Sequence, residues 1–216
     1  MLVLCLDTSS AAVTAAVVSV SSELDVRSER VAVDARAHGE LLAPFVRSCL
    51  VDAGAQPGDL GAVVAGVGPG PFTGLRVGLV TAAVLADSLG IPAYGVCSLD
   101  GIAGAVEAPS LLVAADARRR EVYWARYHDR VRVAGPDVAR PADVATGGLA
   151  AMTGAGARLY AEVLGLPLLH VDFPSPRALV AVAAERIRAG APGETLTPLY
   201  LRRPDAVQPP APRAMS

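Results

Sequence analysis

Hydrophobic positions change their period several times along this chain, and each change marks an element. Leu2 to Leu6 is an apolar run of strand length, Asp7-Thr8-Ser9-Ser10 is a polar turn, and Ala11 to Val20 is a second run. Ser21 to Asp25 reads as a hairpin connection, and alternation from Val26 to Val33 gives a third strand, so three antiparallel strands open the fold. From His38 the spacing becomes helical: His38, Leu41, Leu42, Phe45, Val46, Cys49 and Leu50 fall on one stripe, with Gly54 where a helix is capped. Ala62 to Val67 is a buried strand. The stretch Gly66 to Arg76 then interrupts all periodicity with Gly66, Gly68, Gly70 and Gly74 around Pro69 and Pro71, which specifies one rigid turn, either an anion cradle or a structural pivot. A long helix follows from Thr73, its predicted N-cap, to Leu89, with Gly90 at its end. Its only charges, Arg76 and Asp87, share one narrow stripe, so the remaining faces must be covered by a sheet on one side and a partner helix on the other.

Ile91-Pro92 ends that helix, Ala93 to Cys97 is a strand and Leu99 to Val106 a further helix, giving the order βββαβαβα. After Ala108-Pro109 the opening pattern returns: a strand at Leu111 to Ala115, an Asp116-Ala117-Arg118 turn and a strand at Glu121 to Tyr127. This weak internal symmetry implies two related lobes, 1–107 and a reduced 108–203. Residues 130–175 are punctuated by Pro and Gly, with short strands near Arg132 and Leu168 and a short helix from Arg158 to Leu164. Pro176 to Ala189 is the last helix, Ser175 capping it and Pro176 at its first position. The tail 204–216 carries four prolines and is predicted to be disordered.

Composition narrows the chemistry. With 216 residues, 52% hydrophobic, 19% charged and a net charge of −2, the chain has material for real cores and no global basic field. All 19 basic residues are Arg, which removes the P-loop lysine, Schiff-base chemistry and Ser-Lys dyads. Cys5, Cys49 and Cys97 are far apart in apolar segments and read as buried thiols of a reducing compartment. Met1 runs straight into a strand without a leader pattern, and the longest apolar helical pattern, broken by Arg76 and Asp87, falls short of a membrane span. The expectation is a cytoplasmic protein without membrane contact.

Candidate sites are few. Asp7-Thr8-Ser9 and Asp116 lead corresponding turns, where actin-like and sugar-kinase-like folds hold nucleotide phosphates and a metal; equally, each Asp can cap its own hairpin turn. His38, His128 and His170 share no ligand spacing, so no metal site is predicted. Ser98 lacks a Gly-x-Ser-x-Gly elbow and Cys97 is a strand thiol by default, so no catalytic residue is assigned. Arg118-Arg119-Arg120 is either a contact for a phosphate backbone or a solvated turn.

Five segments taken in order, Leu-Asp-Thr-Ser-Ser at 6–10, His-Gly-Glu-Leu-Leu at 38–42, the Gly-Pro stretch 68–78, Asp-Ala-Arg at 116–118 with Glu-Val-Tyr at 121–123, and Pro-Leu-Tyr-Leu-Arg at 198–202, resemble the TsaB (YeaZ) family. The resemblance implies a two-lobed ASKHA fold (actin, hexokinase, heat-shock chaperone) with a reduced second lobe. It also implies a non-catalytic subunit that pairs with its paralogue TsaD, and with the P-loop ATPase TsaE, in threonylcarbamoylation of the adenosine next to the anticodon of tRNAs reading codons that begin with A. TsaD-like proteins place a His-x-x-x-His metal pair where this chain has Ser98 and Ile102. The partner face implied lies on the first lobe's helices: His38, Leu41, Leu42 and Phe45 on the first, and Thr73, Arg76, Val77, Leu79, Val80, Ala83, Val84 and Asp87 on the second. In isolation that face closes a homodimer. No intrinsic cofactor is implied, ATP or ADP with Mg belongs at most to the complex, and tRNA is met through it. The enzymatic alternative is a stand-alone ATPase or small-molecule kinase built on Asp7 and Asp116.

Overall fold

A computed structural model describes residues 1–202; the predicted disordered tail, 204–216, lies outside the described residues. The chain opens with β1 (Leu2–Asp7), β2 (Ala12–Val20) and β3 (Leu24–Val33), an antiparallel meander in which Asp7 faces Thr14 and Ala12 faces Val33. Helix α1 (His38–Asp52) leads to β4 (Leu60–Gly66), which joins β1 in parallel, and α2 (Phe72–Leu89) leads to β5 (Ala93–Val96), parallel to β4. The sheet order is β3-β2-β1-β4-β5. One face carries α1 and α2 over Leu4, Leu6, Val13 and Val63. The other carries α6 (Pro176–Arg188), whose Leu179, Val180, Ala183 and Ile187 pack on Val3, Cys5, Val64 and Tyr94. Covered on both faces, β1 and β4 must be apolar at every position, which is why they read as continuous runs and not as alternation.

Between α2 and α6 the chain builds a second sheet. After the short α3 (Ser98–Ala103) come β6 (Ser110–Asp116), β7 (Val122–His128), β8 (Val131–Ala139), β9 (Ala151–Thr153) and β10 (Leu168–Leu169), in the order β10-β9-β6-β7-β8. Strands β6 to β8 form a meander, β9 runs parallel to β6 and β10 parallel to β9, so the topology of the first sheet is repeated. The repeat is abbreviated: β9 has three residues, β10 two, and α4 (Ala155–Leu159) and α5 (Ala161–Leu164) stand where longer helices would be. This is the two-lobed ASKHA architecture with a reduced second half. The last helix follows the second sheet in sequence and belongs to the first sheet in space.

Several local expectations are corrected. Helix α2 starts at Phe72 with Pro71 as its N-cap and no side-chain cap, so Thr73 lies within the first turn. The expected 158–164 helix is broken at Tyr160, whose φ of −118° and ψ of 30° leave the helical region. Strand β8 is nine residues long despite Gly135-Pro136, because it is an edge strand and Pro there interrupts no inner ladder. Helix α2 is also, with 18 residues, as long and apolar as a membrane span, contrary to the sequence reading; its Leu75, Leu79, Ala82 and Ala86 stripe is nonetheless buried against the sheet. Two expectations hold closely: Ser175 Oγ accepts from Ala178 N at the start of α6, and Gly54 takes a φ of 63° just past α1.

Candidate functional site

Two places carry the residues singled out above, and they differ in kind. The first lies where β1 and β4 end beneath the Gly-Pro loop. Asp7, 1% exposed, accepts hydrogen bonds from Ser98 Oγ at 2.6 Å on Oδ2 and from Ser9 N and Ser9 Oγ at 3.0 and 2.8 Å on Oδ1. Ser98 Oγ in turn accepts from Gly68 N at 3.2 Å, and Ser98 N donates to Gly68 O at 2.7 Å. Thr8 Oγ1 donates to Gly74 O at 2.7 Å and accepts from Gly78 N at 3.0 Å, tying the turn to the first turns of α2. His38 Nε2 lies 2.8 Å from Ser10 O.

The glycines of this region are there for close approach. A Cβ on Gly66 would fall inside the Asp7 carboxylate, and one on Gly70 inside the Ser9 carbonyl, a backbone group that cannot turn aside. Burial pushes the Asp7 pKa up, and the hydrogen bonds from Ser98 and Ser9, with the nearby His38, pull against it. The side-chain oxygens of Asp7, Thr8 and Ser9 are thus engaged within the chain. Asp116 is half-buried and accepts from Arg118 N at 2.8 Å, so it caps its own turn.

Among the described residues no cluster of His, Cys, Asp or Glu has metal-site geometry. His38 is buried at the Asp7 turn, while exposed His128 meets the carboxylate of Asp129 and His170 is exposed just past β10. Ser98 donates to a carboxylate, the position a base would need. Cys97 is pushed up to about 11, chiefly by burial and further by Asp100, which keeps it a thiol at neutral pH.

The second place is the outer surface of α1 and α2. Of the twelve residues assigned to a partner face, His38, Leu42 and Leu79 are buried within the chain, Leu41, Phe45 and Val77 are half-buried, and Thr73, Arg76, Val80, Ala83, Val84 and Asp87 are exposed. The covering of α2 is therefore one-sided. Val80 and Val84, 61% and 58% exposed, border a groove of about 510 Å³ between the helices, floored by Leu4 and Leu60 and walled by Val46, Leu50, Leu85 and Leu89. Sequence reasoning missed the α1 wall residues Ala43 and Arg47, off the apolar stripe, and the Ser98 link to Asp7, which bridges 91 positions of sequence.

Residues 26–185 match the family described as "TsaD: tRNA N6-adenosine threonylcarbamoyltransferase", and the chain belongs to that family. Within it the chain is of the TsaB (YeaZ) type. YeaZ from Pseudomonas aeruginosa superposes with a TM-score of 0.79 at 28% identity, over 93% of this chain and 99% of that one. TsaB of Escherichia coli is 41% identical over 96 residues, 43% of this chain and 42% of that protein. An uncharacterized protein of Mycobacterium tuberculosis is 52% identical over 94% of this chain and 93% of its own length. A Mycobacterium leprae relative is 50% identical over 95% of this chain, which spans 56% of that longer protein. An activator of 2-hydroxyisocaproyl-CoA dehydratase from Clostridium difficile, with a TM-score of 0.55 at 9% identity, shares the fold alone.

Proposed function

We propose that this chain is a non-catalytic scaffold and activating subunit of tRNA threonylcarbamoyladenosine synthesis, pairing through α1 and α2 with a TsaD-like transferase. The observation that carries the reading is the open apolar groove between those helices. Branched side chains at more than half exposure beside an apolar groove, on a helix already seated on a sheet, favour a second cover, and a related chain is the partner this reading puts there. The engaged Asp7 turn supports the non-catalytic half of the reading, because Ser98 holds that carboxylate and Ile102 brings no ligand. A TsaE-like ATPase joins the pair, ATP or ADP with Mg belongs to the assembled complex, and without the transferase the same face closes a homodimer in the cytoplasm.

Reconstitution tests this. Purified transferase, ATPase and threonylcarbamoyl donor are incubated with tRNA with and without this chain, and complex mass is measured alongside. Modification should depend on the chain, and the pair should form at one copy each. Unchanged modification when the chain is left out refutes the reading.

A further inference from the structure

Helix α2 carries two stripes. Leu75, Leu79, Ala82 and Ala86 are buried against the first sheet, while Thr73, Arg76, Val80, Ala83 and Asp87 are exposed. The exposed five follow one another at alternate intervals of three and four residues, the seam spacing of a coiled coil. Val80 and Ala83 lie at the centre of that seam, with Arg76 toward the start of the helix and Asp87 toward its end. Neither charge meets an opposite one in its own chain: among the described residues no ion pair includes Arg76 or Asp87. Arg76 is nevertheless held, its guanidinium 4.5 Å above the Phe72 ring, on which Tyr200 stacks at 5.0 Å. Its position is thus set before any partner arrives, which lowers the ordering cost of a contact made there.

We propose that in the isolated chain this seam is covered by α2 of a second copy, antiparallel, in a register fixed by Arg76 and Asp87. About a two-fold axis between Thr81 and Ala82, Arg76 faces the partner's Asp87 and Val80 faces the partner's Ala83, and the same contacts recur across the axis. Each charge then meets its opposite, and each valine meets a small alanine. The antiparallel order also brings Arg76 to the C-terminal end of the partner helix and Asp87 to its N-terminal end, where the helix dipole favours both. Parallel helices in register would instead set Arg76 against the partner's Arg76 and Asp87 against the partner's Asp87. Val80 and Val84 border the groove between α1 and α2, so a helix seated on the seam covers its rim. The pairing rests on the function proposed above for the choice of face, and adds to it the residues that set the register.

Sedimentation equilibrium of the chain alone, near physiological salt, tests the register through charge reversal. Arg76→Asp sets two acids against each other in both symmetric contacts, and Asp87→Arg sets two bases. Each single reversal should weaken the dimer about tenfold or more. The double variant restores opposite charges and should dimerise within about threefold of the parent, because residues in contact do not act additively. Thermal melts confirm that all variants are folded, as expected for exposed positions. A parent that stays monomeric at micromolar concentration overturns the pairing. So do single variants that dimerise like the parent, or a double variant no tighter than the singles. Transferase capture by the parent is measured alongside. Capture with chain-dependent modification but no dimer overturns this pairing and leaves the proposed function standing, while a dimer that follows the charge cycle without capture refutes that function alone.

Discussion

Ser98→Ala tests the sealed turn most directly, because one hydroxyl serves two buried groups there. Its removal takes a donor from the Asp7 carboxylate and an acceptor from the Gly68 N–H, in a place where Asp7 is 1% exposed and water has little access. A hydrogen bond to a charged group contributes about 1.5–3 kcal/mol, and an orphaned buried N–H costs about 1–3 kcal/mol; since the two share one atom, a combined loss of about 3 kcal/mol is expected at neutral pH. For a chain of this size that lowers the melting temperature by about 6–12 °C. The loss also depends on pH. Burial raises the Asp7 pKa, so the folded state holds that proton more tightly than the unfolded chain, and Asp7 contributes stability that is present in acid and fades as pH rises through the native pKa. The Ser98 bond favours the charged form, so deleting it raises the Asp7 pKa further. The penalty should therefore grow as pH rises through the native Asp7 pKa and shrink in acid. Urea unfolding followed by circular dichroism and by the single tryptophan, Trp124, measures both. Asp7→Asn is the comparator: it keeps an acceptor for Ser9, removes the buried charge, and should be at least as stable as the parent at pH 8. A Ser98→Ala loss below about 1 kcal/mol at neutral pH, or a loss that shrinks as pH rises across the whole titration, would refute the account.

On the helix face, Val80→Asp and Val84→Asp should leave monomer stability within about 0.5 kcal/mol while abolishing self-association and capture of the transferase, read by sedimentation and co-purification. Leu79→Asp, one residue from Val80 but 5% exposed, should instead fail to fold, and a folded, soluble Leu79→Asp would contradict the assigned face. Gly70→Ala should cost about 3 kcal/mol or more in urea unfolding, because the added carbon meets the Ser9 carbonyl; a near-neutral result would mean the loop can lift off the turn. Cys5, Cys49 and Cys97 should react with Ellman's reagent at pH 8 only after denaturation, and one fast thiol in the native chain would count against their burial.

Local pattern is legible in the sequence wherever a single element decides the matter. The α1 stripe, the three opening strands, the Ser175-Pro176 start of α6 and the repeated strand-turn-strand at 111–127 are all set by period and capping, and they stand in the structure. Pairings across long loops are not visible there. Nothing near Ser98 announces Asp7, and nothing in the apolar face of α6 says which of two sheets it covers. Strands of two or three residues, such as β9 and β10, are too short to show a period and exist only because a neighbour pairs with them. Thr73 has the residue type of a cap, yet Pro71 already fixes the φ that starts α2, and Thr8 reaches the helix from outside. The rule that an apolar helix must be covered is sound physics, but α2 within one chain is covered on one side only.

The return of α6 to the first sheet bears on synthesis at the ribosome. Residues 2–96 supply every strand of that sheet and both helices of one face, but its other face stays bare until Leu179, Val180, Ala183 and Ile187 have emerged. A nascent chain stalled anywhere before the last helix therefore presents Val3, Cys5, Val64 and Tyr94 to solvent as an uncovered apolar surface, and holdase chaperones should engage this protein late in translation.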